Sequence, residues 1–176
     1  METIERKIPK TALEVFRMLP EGTLCEVLNN VLYMSPSPRY NHQKLITLLI
    51  RKIGNWVAKQ KLGEVLASPV DFYLEAQQSA VQPDIVYVSN ANMSILHDDG
   101  YFYGAPDLVI EVLSSDVKRD AIMKKGIYES AGVKEYHIID PEDRKIISYN
   151  LVGKYLSFNE TTGRFYSLLL KLEVEF

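Results

Sequence analysis

The nonapeptide Pro106-Asp-Leu-Val-Ile-Glu-Val-Leu-Ser114 constrains this chain more than any other stretch. Its apolar residues run without alternation, the pattern of a strand covered on both faces. One carboxylate, Glu111, stands among them. Burying it ionised is costly unless something positive compensates it. The bland reading is a core acid paired for stability. The chemical reading is a ligand or catalyst held at a site.

A second acid, Asp84, follows Pro83 and opens the short strand Asp84-Ile-Val-Tyr-Val88. Downstream, a helix is expected from about Val117 to Ala131, ended by Gly132. On it Val117, Ala121, Lys124, Tyr128 and Ala131 form one stripe, which turns Lys124 inward. The competing reading is an Asp120–Lys124 surface pair at i, i+4. If the two acidic strands are neighbours, Asp84 and Glu111 converge on one divalent cation. Mg²⁺ or Mn²⁺ suits oxygen ligands, and the backbone carbonyl of Val112 is a candidate third. Two acids and a lysine in this setting are the ingredients of metal-dependent phosphodiester chemistry. Asp107, in a similar Pro-Asp setting, is expected only to start its strand.

Other polar residues carry weaker signals. His42 shares the Leu45–Leu49 face of a long helix, where a satisfied core histidine is the commoner outcome. Glu26, in a hairpin, reads as a metal or water contact or as a cross-strand pair, the pair being the plainer choice. Lys118, Arg119 and Lys125 are candidates for contact with a phosphate backbone, Lys125 being expected to face solvent. Tyr128, Tyr136 and the tyrosines near 101 are able to stack on bases, but need no function as core or loop aromatics.

The remaining elements follow from periodicity and turn chemistry. A helix over Thr11 to Leu19 stops at Pro20. A hairpin turns at Asn29-Asn30, between Leu24–Leu28 and Val31–Met34. Ser37 and Pro38 suit an N-cap and first turn for the helix from about Pro38 to Leu62, with Gly63 as its left-handed cap. Glu64 to Leu74 reads as extended, with Pro69 an irregular point, and Val81 to Val88 as one strand after a turn at Gln77-Gln-Ser79. A short helix fits Asn92 to Leu96. Glu135–Ile139, Ile146–Leu151 and Tyr166–Val174 are late strands. Helices packed against a mixed sheet follow from this order.

The totals bound the class. At 176 residues, with 47% hydrophobic and 24% charged, the chain suits one globular domain. Cys25 is its one cysteine, which excludes an internal disulfide and a Cys-rich zinc site and suits a reducing cytoplasm. The first ten residues are polar, without an apolar signal region, and no apolar run is long enough to span a bilayer. A net charge of −3 provides no global attraction for nucleic acid, so any such contact needs a local basic patch.

Together, Val81-Gln-Pro-Asp-Ile-Val-Tyr-Val-Ser89, Gly104-Ala-Pro-Asp-Leu-Val-Ile-Glu-Val-Leu-Ser114, Asp120, Lys124, Tyr128, Gly132-Val-Lys-Glu-Tyr136 and Asp140-Pro141 resemble the Uma2 family. That family is placed in the PD-(D/E)XK nuclease superfamily. The resemblance is dense from Gln82 to Pro141 and looser upstream, through Glu26 and His42. It implies an α/β (α+β) fold: a restriction-endonuclease-like mixed sheet flanked by helices. One nuclease-like domain over 1–176 is expected, with an N-terminal helix and hairpin at 1–36, a core at 37–141 and C-terminal strands at 142–176.

Carried onto these positions, the resemblance makes Asp84 and Glu111 the metal carboxylates. The superfamily's usual lysine position is Leu113 here, and Lys124 matches the lysine that replaces it. Gln82 and His42 match supporting positions. Ser115 departs from a usual proline and His137 from a usual tryptophan. The implied activity is Mg²⁺- or Mn²⁺-dependent cleavage of nucleic acid, DNA foremost; a homodimer is expected because cutting both strands of a duplex wants two sites, and the single cysteine suits a cytoplasmic protein. The alternative is a catalytically silent module that binds nucleic acid or a protein partner.

Overall fold

The computed structural model describes residues 8–114, 118–152 and 155–176; for 118–121, 152, 155 and 156 it describes the backbone alone. Helix α1 (Ala12–Phe16) is capped by Thr11, whose side chain accepts from the Glu14 N–H. It covers the outer face of a five-stranded sheet ordered β2-β1-β5-β4-β7, with Phe16 packed among Cys25, Val27, Tyr73 and Ala80. The strands are β1 (Cys25–Leu28), β2 (Val31–Met34), β4 (Phe72–Leu74), β5 (Ser79–Val81) and β7 (Phe102–Tyr103). Asn29 and Asn30 both have positive φ, the backbone that a tight hairpin turn requires and asparagine tolerates.

The second sheet is six-stranded, ordered β11-β10-β9-β8-β6-β3. Its strands are β3 (Gly63–Ala67), β6 (Ile85–Ser89), β8 (Leu108–Val112), β9 (Glu135–Ile139), β10 (Lys145–Val152) and β11 (Tyr155–Thr162). All five residues of β8 are buried, as its unalternating run requires. One face takes α2 (Tyr40–Gln60), whose Ile46, Leu49, Ile53 and Val57 pack on Ile85, Leu108, Ile110 and Ile139. The hairpin of β12 (Arg164–Ser167) and β13 (Leu172–Glu175) closes that side with Phe165 and Val174. On the other face Val86, Val109, Tyr136 and Ile138 meet Ile127 and Tyr128 of α3 (Lys118–Ala131) and Leu28, Phe72 and Val81 of the first sheet. Among the described residues no helix is long and apolar enough to cross a membrane.

Several local expectations change. The segment Val81 to Val88 is two strands in different sheets, because Gln82-Pro83-Asp84 carries the chain from β5 to β6. Helix α2 starts at Tyr40, with Arg39 rather than Ser37 at its N-cap and no side-chain cap bond. Its left-handed C-cap is Lys61, not Gly63. Gly63 is needed for another reason. At φ 151° it lies against the neighbouring strand, where a Cβ would collide with the Val88 carbonyl oxygen and come within 2.8 Å of the Ser89 Cα. The short helix is 3₁₀ and spans Asn90–Ile95. Tyr166 to Val174 is strand at both ends, in β12 and β13, with a turn at 168–171 between them, and β11 is a strand that periodicity alone did not mark.

Candidate active site

Strand register brings the acids together. β6 and β8 are antiparallel, pairing Ile85 with Ile110 and Val86 with Val109. One further step sets Asp84 opposite Glu111, on the face that Val86 and Val109 share. The Val112 N–H donates to Asp84 Oδ2 at 2.8 Å, which fixes that carboxylate across the strand gap. Asp84 lies just outside the paired part of β6, and α2 also reaches it: His42 Nε2 is 3.2 Å from the same Oδ2. His42 is buried, and its Nδ1 has no hydrogen-bond partner among the described residues. Burial depresses the imidazole pKa, but Asp84, the Val112 backbone and Glu111 outweigh it and hold the ring above its ordinary 6.5.

Glu111 is 9% exposed and faces α3. Its Oε1 accepts from Lys124 Nζ at 3.0 Å and from the Tyr128 hydroxyl at 2.7 Å. Lys124, 7% exposed, also reaches Glu26 Oε2 at 2.8 Å. Lys124 and Tyr128 of the expected stripe therefore face inward, while Val117 and the Ala121 side chain lie outside the described residues; the lysine's partners come from two strands. Glu26 stands opposite Tyr33 in its hairpin, but its carboxylate is spent on groups outside that hairpin. Its other oxygen accepts the Gln82 N–H at 2.7 Å. Gln82 enters by its backbone, while its side-chain amide is committed to the Thr23 carbonyl and Asp71 Oδ1.

The electrostatics follow from three carboxylates around one buried ammonium. Burial raises the Glu111 pKa, Lys124 opposes it, and Asp84 and Glu26 add to it, leaving it at about 7. Burial disfavours the Lys124 charge, but Glu111 and Glu26 more than restore it, so the ammonium stays charged well past the ordinary lysine range. Among the described residues, Asp84 Oδ1 and Glu111 Oε2 accept no hydrogen bond. No three His, Cys, Asp or Glu side chains among those residues form a metal-holding group. Two open oxygens on mutually repelling carboxylates fit a hard cation that takes few protein ligands and keeps its waters.

The remaining candidates are placed as follows. Lys125 is not simply solvent-facing: it is half-buried, bonds Glu129 at 3.2 Å and lies 5.3 Å from the Tyr149 ring centre. The side chains of Lys118 and Arg119 lie outside the described residues. Asp107 does more than start its strand, since it accepts from the Ser89 N–H and the Lys134 ammonium and ties β6 to the connection between α3 and β9. Tyr128 is the residue at the centre that sequence reasoning left among the core aromatics. Its signal was its place four residues after Lys124 on the inward stripe.

A solved structure from Anabaena variabilis ATCC 29413, described as "a putative nuclease belonging to DUF820", shares this fold. Its TM-score is 0.77 at 19% identity, with 95% of each chain covered, so the two share the mixed sheet flanked by helices. The Uma2 family, described as "Putative restriction endonuclease", matches residues 13–173, and the chain belongs to it. No curated protein matches the chain.

Proposed function

We propose that this protein is a Mg²⁺- or Mn²⁺-dependent endonuclease that hydrolyses phosphodiester bonds of DNA. One observation carries the reading: Glu26 and Glu111 hold a single buried ammonium, Asp84 stands across the strand gap from Glu111, and Asp84 and Glu111 each keep one oxygen free of hydrogen bonds among the described residues. Asp84 and Glu111 would hold the cation, with the Val112 carbonyl as a further oxygen donor. A divalent cation there supplies Lewis acidity toward a phosphate and a water of lowered pKa.

The chain's own groups supply the rest. An ammonium has three donors, and Glu26 and Glu111 take two from Lys124, leaving one for a water or a phosphate oxygen. Placed there, the charge of Lys124 stabilises negative charge gathering on the phosphate. His42 Nε2, 3.2 Å from Asp84, is within reach to pass a proton at the site. The family's description and the nuclease-type fold support the same reading. A homodimer would set two such sites on the two strands of a duplex.

Calorimetric titration of Mn²⁺, paired with plasmid nicking, tests the scheme on wild type, Asp84→Ala and Glu111→Ala. Loss of both signals in both variants is expected. Nicking that survives both substitutions together would overturn it.

A further inference from the structure

We infer that the solvent face of α2 is the surface along which this protein holds duplex nucleic acid. The inference rests on the nucleic-acid reading of the site, and it adds where the backbone lies.

The charge distribution points there first. Between Glu26 and Glu64 the chain has no acidic residue, although it is acidic overall, with 23 acidic against 20 basic residues. The same stretch holds Arg39, Lys44, Arg51, Lys52, Lys59 and Lys61. Apart from Lys52, whose ammonium donates to the Glu175 carbonyl at 2.6 Å, none of them is paired with an acid or bonded through its side chain to the protein among the described residues. Ordinary solvated helices mix charges at i, i+4 spacing and favour acids in their first turn. Here the first turn has no acid and the N-cap is Arg39, without a side-chain cap bond. Positive charge has been set at the end where the helix itself attracts an anion.

Geometry supplies the second point. Tyr40, Lys44, Thr47, Arg51 and Asn55 recur at steps of four and three, and all are exposed. Tyr40 is 75% exposed, with Lys44 Nζ 6.0 Å from its ring centre, an aromatic and a cation offered together to a base or sugar. The stripe begins two residues before His42, whose Nε2 is 3.2 Å from Asp84, so its first turn lies at the end of α2 nearest the carboxylates. At 21 residues, α2 is about 31 Å long, roughly the rise of nine base pairs. Glu142, whose carboxylate lies 3.5 Å from Asn41 Nδ2, borders the first turn.

Anionic membranes are a poorer fit. Amphipathic helices bind bilayers by inserting an apolar face, and the apolar face of α2 is already committed to the core through Ile46, Leu49, Ile53 and Val57.

The test is fluorescence anisotropy of a labelled 16-base-pair duplex in EDTA, with wild type, Lys44→Glu, Arg51→Glu and the charge-matched control Lys145→Glu. Lys44→Glu and Arg51→Glu are expected to weaken binding at least tenfold each. Each should also flatten the slope of log affinity against log salt by about 0.9 per lost phosphate contact. The control should stay within twofold. Equal losses in the control and the α2 variants, or no duplex binding by wild type, would overturn the inference. So would α2-dependent binding of phosphatidylserine vesicles that the duplex does not compete away. Asp84→Ala should retain duplex binding while losing nicking. Nicking by wild type that Lys44→Glu and Arg51→Glu leave undiminished defeats the α2 surface alone. Duplex binding that depends on α2, in a protein that never nicks, supports the surface and removes the hydrolytic reading.

Discussion

At the scale of single residues, Tyr128 decides how Glu111 presents itself. Its hydroxyl and Lys124 both hold Oε1, which turns Oε2 away from the protein's own donors. Tyr128→Phe keeps the ring against Tyr136, at 5.0 Å between centres, and removes only that hold. The concentration of Mn²⁺ giving half-maximal nicking should rise about tenfold, with most of the rate recovered at saturating metal. An unchanged metal dependence would show that Lys124 alone suffices. Asp107 is a second case. Burial pushes its carboxyl pKa up, but the Lys134 ammonium and the Ser89 N–H prevail and hold it below the ordinary 3.8. A depressed carboxylate contributes stability above its unfolded pKa and loses it as pH falls through the native one. Thermal melts should therefore show Asp107→Asn less stable than wild type at neutral pH, with the gap closing below pH 3.8.

At the scale of elements, two glycines in neighbouring elements, Gly54 and Gly63, have opposite meanings. Gly54 lies inside α2 with open space where a Cβ would go, so Gly54→Ala should stabilise by about 1 kcal/mol. Gly63 begins β3 pressed against Val88 and Ser89, so Gly63→Ala must push β3 away from β6 and should destabilise. Urea midpoints moving in opposite directions would verify both assignments. The caps of α2 show how local signals mislead. Gly63 and Pro38 look like helix punctuation, yet the helix runs from Tyr40 to a left-handed Lys61, because the contacts of its buried face set its length more than its ends do.

At the scale of the whole molecule, Glu135 attaches the C-terminal hairpin to the main sheet. It is fully buried, and its oxygens take His137 Nε2 at 2.9 Å, the Ser167 hydroxyl at 3.0 Å and the N–H groups of Leu168 and Leu169 at 3.2 and 3.0 Å. Glu135→Ala would strand these donors, each at a cost of about 1–3 kcal/mol. The melting temperature should fall, and amide exchange across β12 and β13 should rise before exchange in β8. Uniform loss of protection would instead mean that the hairpin and the sheet open together.

The chain's own sequence determined the buried strand around Glu111, the inward stripe carrying Lys124 and the short strand headed by Asp84, because periodicity and burial cost act over a few residues at a time. It left Glu26 between a metal or water contact and a cross-strand pair, and could bring neither Glu26 onto Lys124 nor Tyr128 onto Glu111. Those contacts join residues distant along the chain. Only tertiary structure decided them, through one antiparallel register between β6 and β8 and the docking of α3 across two sheets. A carboxylate's chemistry depends on charges within a few ångströms, whatever their separation in sequence.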